Sequence, residues 1–326
     1  MPVLIAHRRV LVKRDDLCGF GRAGVKIRKL ELLVAHVRAR GYDTFVTLAP
    51  NVTNLLHDLQ EVAGTFGMKL RACVADKPNV PAASRQAVFS GIDHECRLVG
   101  DSRIEAAVTL AGMMLRSRSS GERPFWVPPS IAHPVGVLGA ARGYHEMVQQ
   151  LIGTPDYPDR VFVTGCTGCT VAGFCLAEAL SRATGHPPIR IHAVQVHPGA
   201  LGLRIALLLQ WTKRFLRLPR PVDLHDILEL DDPLPGYGFG EFPRAVVSLC
   251  ERASDEQQLS IDPIYGGKTW LALERWLDRA PRQASPLIWH CGNSPQWSLY
   301  LGPTDTPTRA RGREWPNAMT PGRRHI

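Results

Sequence analysis

A chain of 326 residues with 44% hydrophobic content can bury a large core, and its length fits about two domains or one long α/β unit. The formal net charge of +9 is partly local, because residues 309–326 hold five arginines against Glu314; nucleic-acid binding is therefore disfavoured, and the surplus suits an anionic small molecule or cofactor equally well. No apolar run reaches the ~18 residues of a membrane span, since the most apolar helix pattern, Leu201 to Leu218, is broken by Arg204, Lys213, Arg214 and Arg217.

Taken in chain order, the opening MPVLIAHRRV places apolar residues ahead of its charges and has no small-residue cleavage pattern. No secretory leader and a cytoplasmic setting are expected. Short β-branched or apolar runs follow at Val10 to Val12, Thr44 to Leu48, Leu70 to Val74, Arg97 to Val99, Phe125 to Val127, Arg160 to Thr164, Ile189 to Val196 and Pro286 to Trp289. Between them lie amphipathic stretches near Ile27 to Arg40, Asn54 to Phe66, Arg103 to Arg116, Val137 to Leu151, Val171 to Arg182, Leu201 to Phe215, Phe242 to Arg252 and Thr269 to Ala280. Such alternation predicts an α/β protein with parallel sheets and crossover helices. Polar or Pro/Gly-rich breaks fall at Ser117 to Arg123, at Asp231 to Pro243 and after Gly302. Eight scattered cysteines in so long a chain read as reduced thiols.

The run VFVTGCTGCTVAGF leads from a buried-looking strand through Gly165, Cys166, Thr167, Gly168, Cys169 and Thr170 into a helix. Small residues there let the backbone approach a ligand, and the N–H groups of the turn and helix start converge on an anion such as phosphate. The hydroxyls of Thr167 and Thr170 add donors. A plain strand-to-helix turn has the same composition, and no Gly-Lys-Ser/Thr follows, so this is not a P-loop. Cys166 and Cys169 form a C-x-x-C pair, open to redox chemistry if the helix start lowers their pKa. No metal site is expected, because no second ligand pair accompanies them.

The segment GRAGVKIRKLE concentrates Lys26, Arg28 and Lys29 at the start of a helix. Alone it reads as a solvated basic helix end. A lysine at such a junction does chemistry only if given an electrophile, and a carbonyl cofactor with a phosphate for the 165–170 turn would supply one.

VKRDDLCGFGRAGVKIRKLELLVA resembles the start of the 1-aminocyclopropane-1-carboxylate deaminase / D-cysteine desulfhydrase family, in which a Lys-Arg-Asp-Asp segment precedes the cofactor-linked lysine of Asn-Lys-x-Arg-Lys-Leu-Glu. The resemblance extends through GCTGCTVAG as a phosphate loop, PGYGFG and DPIYGGKTW as active-site tyrosine segments, and IWHCGN in place of His-Thr-Gly-Gly. It implies a fold type II pyridoxal-phosphate enzyme of two domains, each a mostly parallel open sheet flanked by helices. Residues 1–35 plus 151–302 would form the large cofactor domain, 36–150 the small one and 303–326 a basic, flexible tail. The resemblance also implies a homodimer and a small amino-acid substrate.

By the same match Lys26 carries the cofactor and acts as base, with Arg28 and Lys29 left to structural pairing. Tyr265, Tyr237 and Thr53 act on substrate, while Asn54, the 165–170 loop and Cys291 hold the cofactor. Several positions depart from the family: Val25 replaces Asn, Thr53 replaces Ser, Leu55 replaces His and His57 replaces Arg. Gly266 stands where Glu or Thr follows the tyrosine, and Cys291 replaces Thr near the pyridine nitrogen. A neutral partner there weakens the ring as an electron sink. The expected reaction is accordingly β-elimination with a good leaving group, in the manner of a lyase or deaminase. The alternatives are a β-replacement synthase and a non-catalytic ligand-binding member.

Overall fold

The computed structural model describes residues 1–18, 24–50, 54–75, 95–100, 102–219, 221–238 and 240–292. Thr53, a sequence-stretch candidate, and the basic tail lie outside them.

Residues Pro2–Ile5 (β1) and Arg8–Arg14 (β2) form a hairpin turned by Ala6 and His7, both at positive φ, as a two-residue turn between twisted strands requires. The remaining strands are Thr44–Pro50 (β3), Lys69–Ala75 (β4), Glu95–Val99 (β5), Pro124–Val127 (β6), Arg160–Gly165 (β7), Arg190–Gln195 (β8), Leu228–Asp231 (β9) and Pro286–His290 (β10). They divide into a six-stranded sheet of order β1-β2-β10-β7-β8-β9 and a four-stranded sheet of order β5-β4-β3-β6. Every pairing except the hairpin is parallel. The helices are Val25–Ala39 (α1), Asn54–Phe66 (α2), Arg103–Ser119 (α3), Pro134–Leu151 (α4), Cys169–Ala183 (α5), Leu201–Leu216 (α6), Arg244–Gln257 (α7) and Gly266–Leu277 (α8).

Period-two alternation sorts the large sheet into two cores. Val161, Val163, Ile191, Leu287 and Trp289 face α4, α5 and α6, whereas Phe162, Val194 and Ile288 face α7 and α8. In the small sheet Phe45 and Leu70 pack with α1 and α2, and Val46 and Cys73 pack with α3. The sequence expectation groups α4 with the small domain, but its apolar stripe (Val137, Ala140, Tyr144, Met147, Val148) is buried in the core of the large sheet. The Tyr144 hydroxyl fastens it by donating to Glu178 of α5 at 2.8 Å. Close helix packing adds to this: a Cβ on Gly139 would lie 2.2 Å from the Arg28 carbonyl, and one on Gly173 2.5 Å from the Val137 carbonyl.

In the large sheet β7 connects onward to β8 on one side, while β10 arrives from the far end of the chain on its other side. The carboxyl ends of β7 and β10 therefore open onto a switch point, where parallel sheets place their ligands.

Candidate functional site

Beyond Gly165 the chain turns through Cys166, Thr167 and Gly168 into α5. Gly168 adopts the left-handed conformation (φ 89°), and a Cβ there would sit 3.0 Å from Ile205 Cγ1. Within the helix the Ala172 N–H bonds back to the Gly168 carbonyl. The amides ahead of it in the first turn have no carbonyl one turn back to receive them. Behind the loop, Thr164 and Thr269 share a hydroxyl hydrogen bond of 2.7 Å.

The start of α1 is docked on the end of β10. The Val25 N–H donates to the Cys291 carbonyl at 2.9 Å. Gly24 (φ 51°) is pressed so closely to the same carbonyl that a Cβ would lie 2.1 Å from it. One turn further, Arg28 is clamped between Asp15 and Glu146, both at 2.8 Å, and Asp15 also accepts the Trp289 indole N–H at 2.8 Å. The Lys-Arg-Asp-Asp segment is thereby explained as scaffold: Asp15 ties α1 to β10, and Arg14 pairs with Asp16. Lys26 is left facing the space between the two sheets.

That space is a cleft walled by Lys26, Asn54, Tyr265, Cys291 and the run Cys166 to Thr170, together with Val25, Lys29, Ser130, Thr164 and Gly292. Gly165 is buried beneath the loop and does not border the cleft. Tyr237, on the segment after β9, is 40% exposed and is not a wall residue. Tyr265 is set by Asp262, whose Oδ1 accepts the backbone N–H groups of Ile264 and Tyr265 at 2.9 and 2.8 Å.

No family model matches the chain. A 1-aminocyclopropane-1-carboxylate deaminase of Ralstonia nicotianae is 30% identical to it over 310 residues, covering 88% of this chain and 87% of that protein. The chain belongs to the 1-aminocyclopropane-1-carboxylate deaminase / D-cysteine desulfhydrase family. A D-cysteine desulfhydrase of Klebsiella pneumoniae is 26% identical over 318 residues, 92% of each chain. The crystal structure of an ACC deaminase homologue matches in fold with a TM-score of 0.75 at 21% identity, over 89% of this chain and 86% of that one. The two-sheet architecture is the α/β fold type II expected from the sequence.

Within this family member the charges around the loop are arranged unevenly. Burial pushes the Cys291 thiol up to about 12, with the nearby Asp15 charge adding to the effect. Burial also raises Cys169 and Cys166, the latter against the pull of Arg204, Lys29, Lys268 and Lys26. Both thiols are free, and burial raises them, opposite to the lowering at a helix start on which the redox reading of the C-x-x-C pair depends. Arg204 is the leading cation at Cys166, and its Nε and Nη2 are shielded from solvent with no hydrogen-bond partner among the described residues. On α6 it occupies the same face as Leu201, Ile205 and Leu208, all buried, a stripe where an apolar residue is the norm.

Three features escape the sequence reading. Lys29, expected to make structural ion pairs, is only 3% exposed and forms part of the cleft wall. Asp58, whose side chain is 1% exposed, lies 3.5 Å from Lys26 Nζ. Arg204 reads in sequence merely as an interruption of an apolar helix. For Asp58 a signal existed: it follows Asn54 by four residues, one helical turn, and so shares its face.

Proposed function

We propose that this family member is a pyridoxal-phosphate-dependent lyase or deaminase that acts on a small amino acid by β-elimination, with Lys26 carrying the cofactor. The observation behind this reading is that Lys26, the anion-type loop, Tyr265 and the thiol of Cys291 border one cleft. The residues fit the group. Gly168 brings its backbone to the cleft in a left-handed turn whose side-chain position is taken up by Ile205, and Arg204, with Nε and Nη2 unpartnered among the described residues, and buried Lys29 constitute positive charge that a phosphate would balance. The loop amides with Thr167 and Thr170 would hold the phosphate, Asn54 the phenolic edge and Cys291 the pyridine end.

When bound, pyridoxal phosphate supplies the electron sink for a negative charge developing at the substrate α-carbon. Lys26 Nζ anchors the group and, once released by substrate, takes the α-proton. Tyr265 stands in the cleft to handle the proton of the leaving group. Thr53 and the amides at the start of α2 receive the substrate carboxylate. Tyr237, on the segment after β9, is assigned to substrate by the family resemblance alone. Cys291, kept as a thiol, offers the pyridine nitrogen a neutral partner, which suits substrates whose β-substituent leaves readily.

Purified protein should be yellow, borohydride should fix the cofactor on Lys26, and D-cysteine or a related amino acid should yield pyruvate and ammonia. A colourless protein without adduct would falsify the reading, and colour without turnover across a broad amino-acid panel would mark a non-catalytic member. The Cys291 thiol favours a second reading as well, β-replacement, which shares the early steps. O-acetylserine with an added thiol separates the two, a thioether indicating replacement. The enzyme is expected to work as a homodimer in the cytoplasm, a reading supported by its eight free cysteines and by the exposed apolar residues Ile104, Val108 and Leu115 on α3.

A further inference from the structure

We infer that Asp58 is a positioning residue for Lys26, holding Nζ in place and stabilising positive charge on that nitrogen throughout the reaction; this extends the cofactor reading above and rests on it. Asp58 Oδ2 lies 3.5 Å from Nζ, and the Asp58 side chain is 1% exposed. A carboxylate so far from solvent is costly to keep ionised unless positive charge compensates it, and the lysine assigned to the chemistry lies within ion-pair distance of it.

The two residues stand on neighbouring helices that share the core of the small sheet. Lys26 stands at the start of α1, which is fixed to β10 through Gly24 and Cys291, and Asp58 stands on α2, which packs on the small sheet. Their contact lies at the end of α1 that meets β10, beside the core that the two helices share, so the carboxylate ties α2 to the anchored start of α1. The other titratable groups bordering this space are Lys29 on α1, Cys166 after β7, Cys291 after β10 and Tyr265 ahead of α8. Lys29 adds like charge, and both cysteines are held as thiols by burial. The stabilising anion facing Nζ in the described structure is thus Asp58.

For the proton transfer the consequence is specific. Nζ takes a proton from the substrate α-carbon: the C–H bond breaks, an N–H bond forms, and the electron pair stays on carbon. The ammonium so formed is adjacent to Asp58, which favours it and keeps it oriented. As the β-substituent departs with its bonding pair, the Tyr265 hydroxyl gives it a proton and takes the N–H proton in exchange, and Nζ returns to the neutral amine. No proton is gained or lost overall. Asp58 retains the proton in the cleft between the two transfers.

The same carboxylate acts on the nitrogen while it is joined to the cofactor, which gives a readout independent of turnover. In holoenzyme, the visible band of the lysine-bound cofactor should bleach with rising pH at a midpoint about 1 unit or more lower in Asp58→Asn than in the wild type, because an opposite charge this close favours the protonated nitrogen. Asp58→Glu should bring the midpoint back toward the wild type, and the loss in Asp58→Asn should fall on kcat more than on KM. Circular dichroism melts establish that each variant is folded. If Asp58→Asn and wild type bleach at the same pH while both yield a borohydride adduct on Lys26, Asp58 has no such role and the cofactor reading stands. Should wild type yield no adduct on Lys26, the cofactor reading fails and this inference fails with it.

Discussion

The Arg28 guanidinium grips the Asp15 carboxylate in a fork, with Nη2 2.8 Å from Oδ1 and Nε 3.0 Å from Oδ2. Asp15 is fully buried and also accepts the Trp289 indole, so one carboxylate joins the segment after β2, the first turns of α1 and the end of β10. Asp15→Asn leaves the guanidinium against a neutral acceptor with Glu146 as its remaining counter-charge. We expect a loss of about 3 kcal/mol in a denaturant titration, the lower end for breaking a buried pair. A loss under about 0.5 kcal/mol, the range of ordinary surface changes, would show that the network carries little of the fold.

Acid should loosen the protein through two other carboxylates. Hydrogen bonds from Arg28 and then Lys13 hold Glu146 down to about 2, and those from Arg71 and then Lys69 do the same for Glu122. Because both folded-state values lie below the unfolded carboxylate value, their contribution is present above roughly pH 4.5 and disappears as pH falls toward 2. Thermal melts across pH 6 to 2 should therefore show a decline that is shallower in Glu146→Gln and Glu122→Gln. Glu146 is partly exposed, so salt should blunt its share more than that of Glu122.

Gly24→Ala is expected to damage the site more than the fold. The added methyl would lie 2.1 Å from the Cys291 carbonyl, at a positive φ that alanine resists, and relief requires α1 to lift away from β10. A melt should fall by an amount typical of overpacking, about 1–3 kcal/mol. Capture of pyridoxal phosphate by the apo-protein should drop by more than that loss explains, since Lys26 moves with the helix. Equal capture by wild type and variant would count against the docking of α1 as what aims the lysine.

Arg204→Gln separates charge from shape at the loop. Affinity for pyridoxal phosphate should weaken about 10-fold or more, the scale of a charge-assisted hydrogen bond, while affinity for pyridoxal, which has no phosphate, stays the same. Equal losses for both ligands would mean that Arg204 matters only for packing.

Tyr265→Phe should lower kcat by about 10²-fold or more if the hydroxyl transfers a proton, with a smaller loss at Tyr237→Phe. Similar losses at both would place Tyr237 inside the cleft during turnover.

Much of this architecture is legible in sequence because period and composition agree. The helices occur at each predicted amphipathic stretch, and β2 to β8 and β10 at each predicted apolar run. The strands left unpredicted are the two edges of the large sheet, β1 and β9, each four residues long. Edge strands carry only one buried neighbour, so their pattern is short and half polar. At the site, the glycine and threonine turn announces itself because close backbone approach leaves few residue choices. Asp58, Lys29 and Arg204 do not. Each is a charged residue on a helix, ordinarily a solvated one, and only tertiary contact turns it inward.

The order of the large sheet also bears on when a working enzyme can exist. β10 is inserted between β2 and β7, although it is the last strand of the described chain. During synthesis the nascent polypeptide can complete the small sheet and the β7 to β9 portion early. It cannot bring Cys291 against Gly24, or join β2 to the rest, until translation has passed residue 292. Cofactor capture therefore belongs to the finished chain, and a truncated translation product lacking β10 would leave the ribosome without a seat for Lys26.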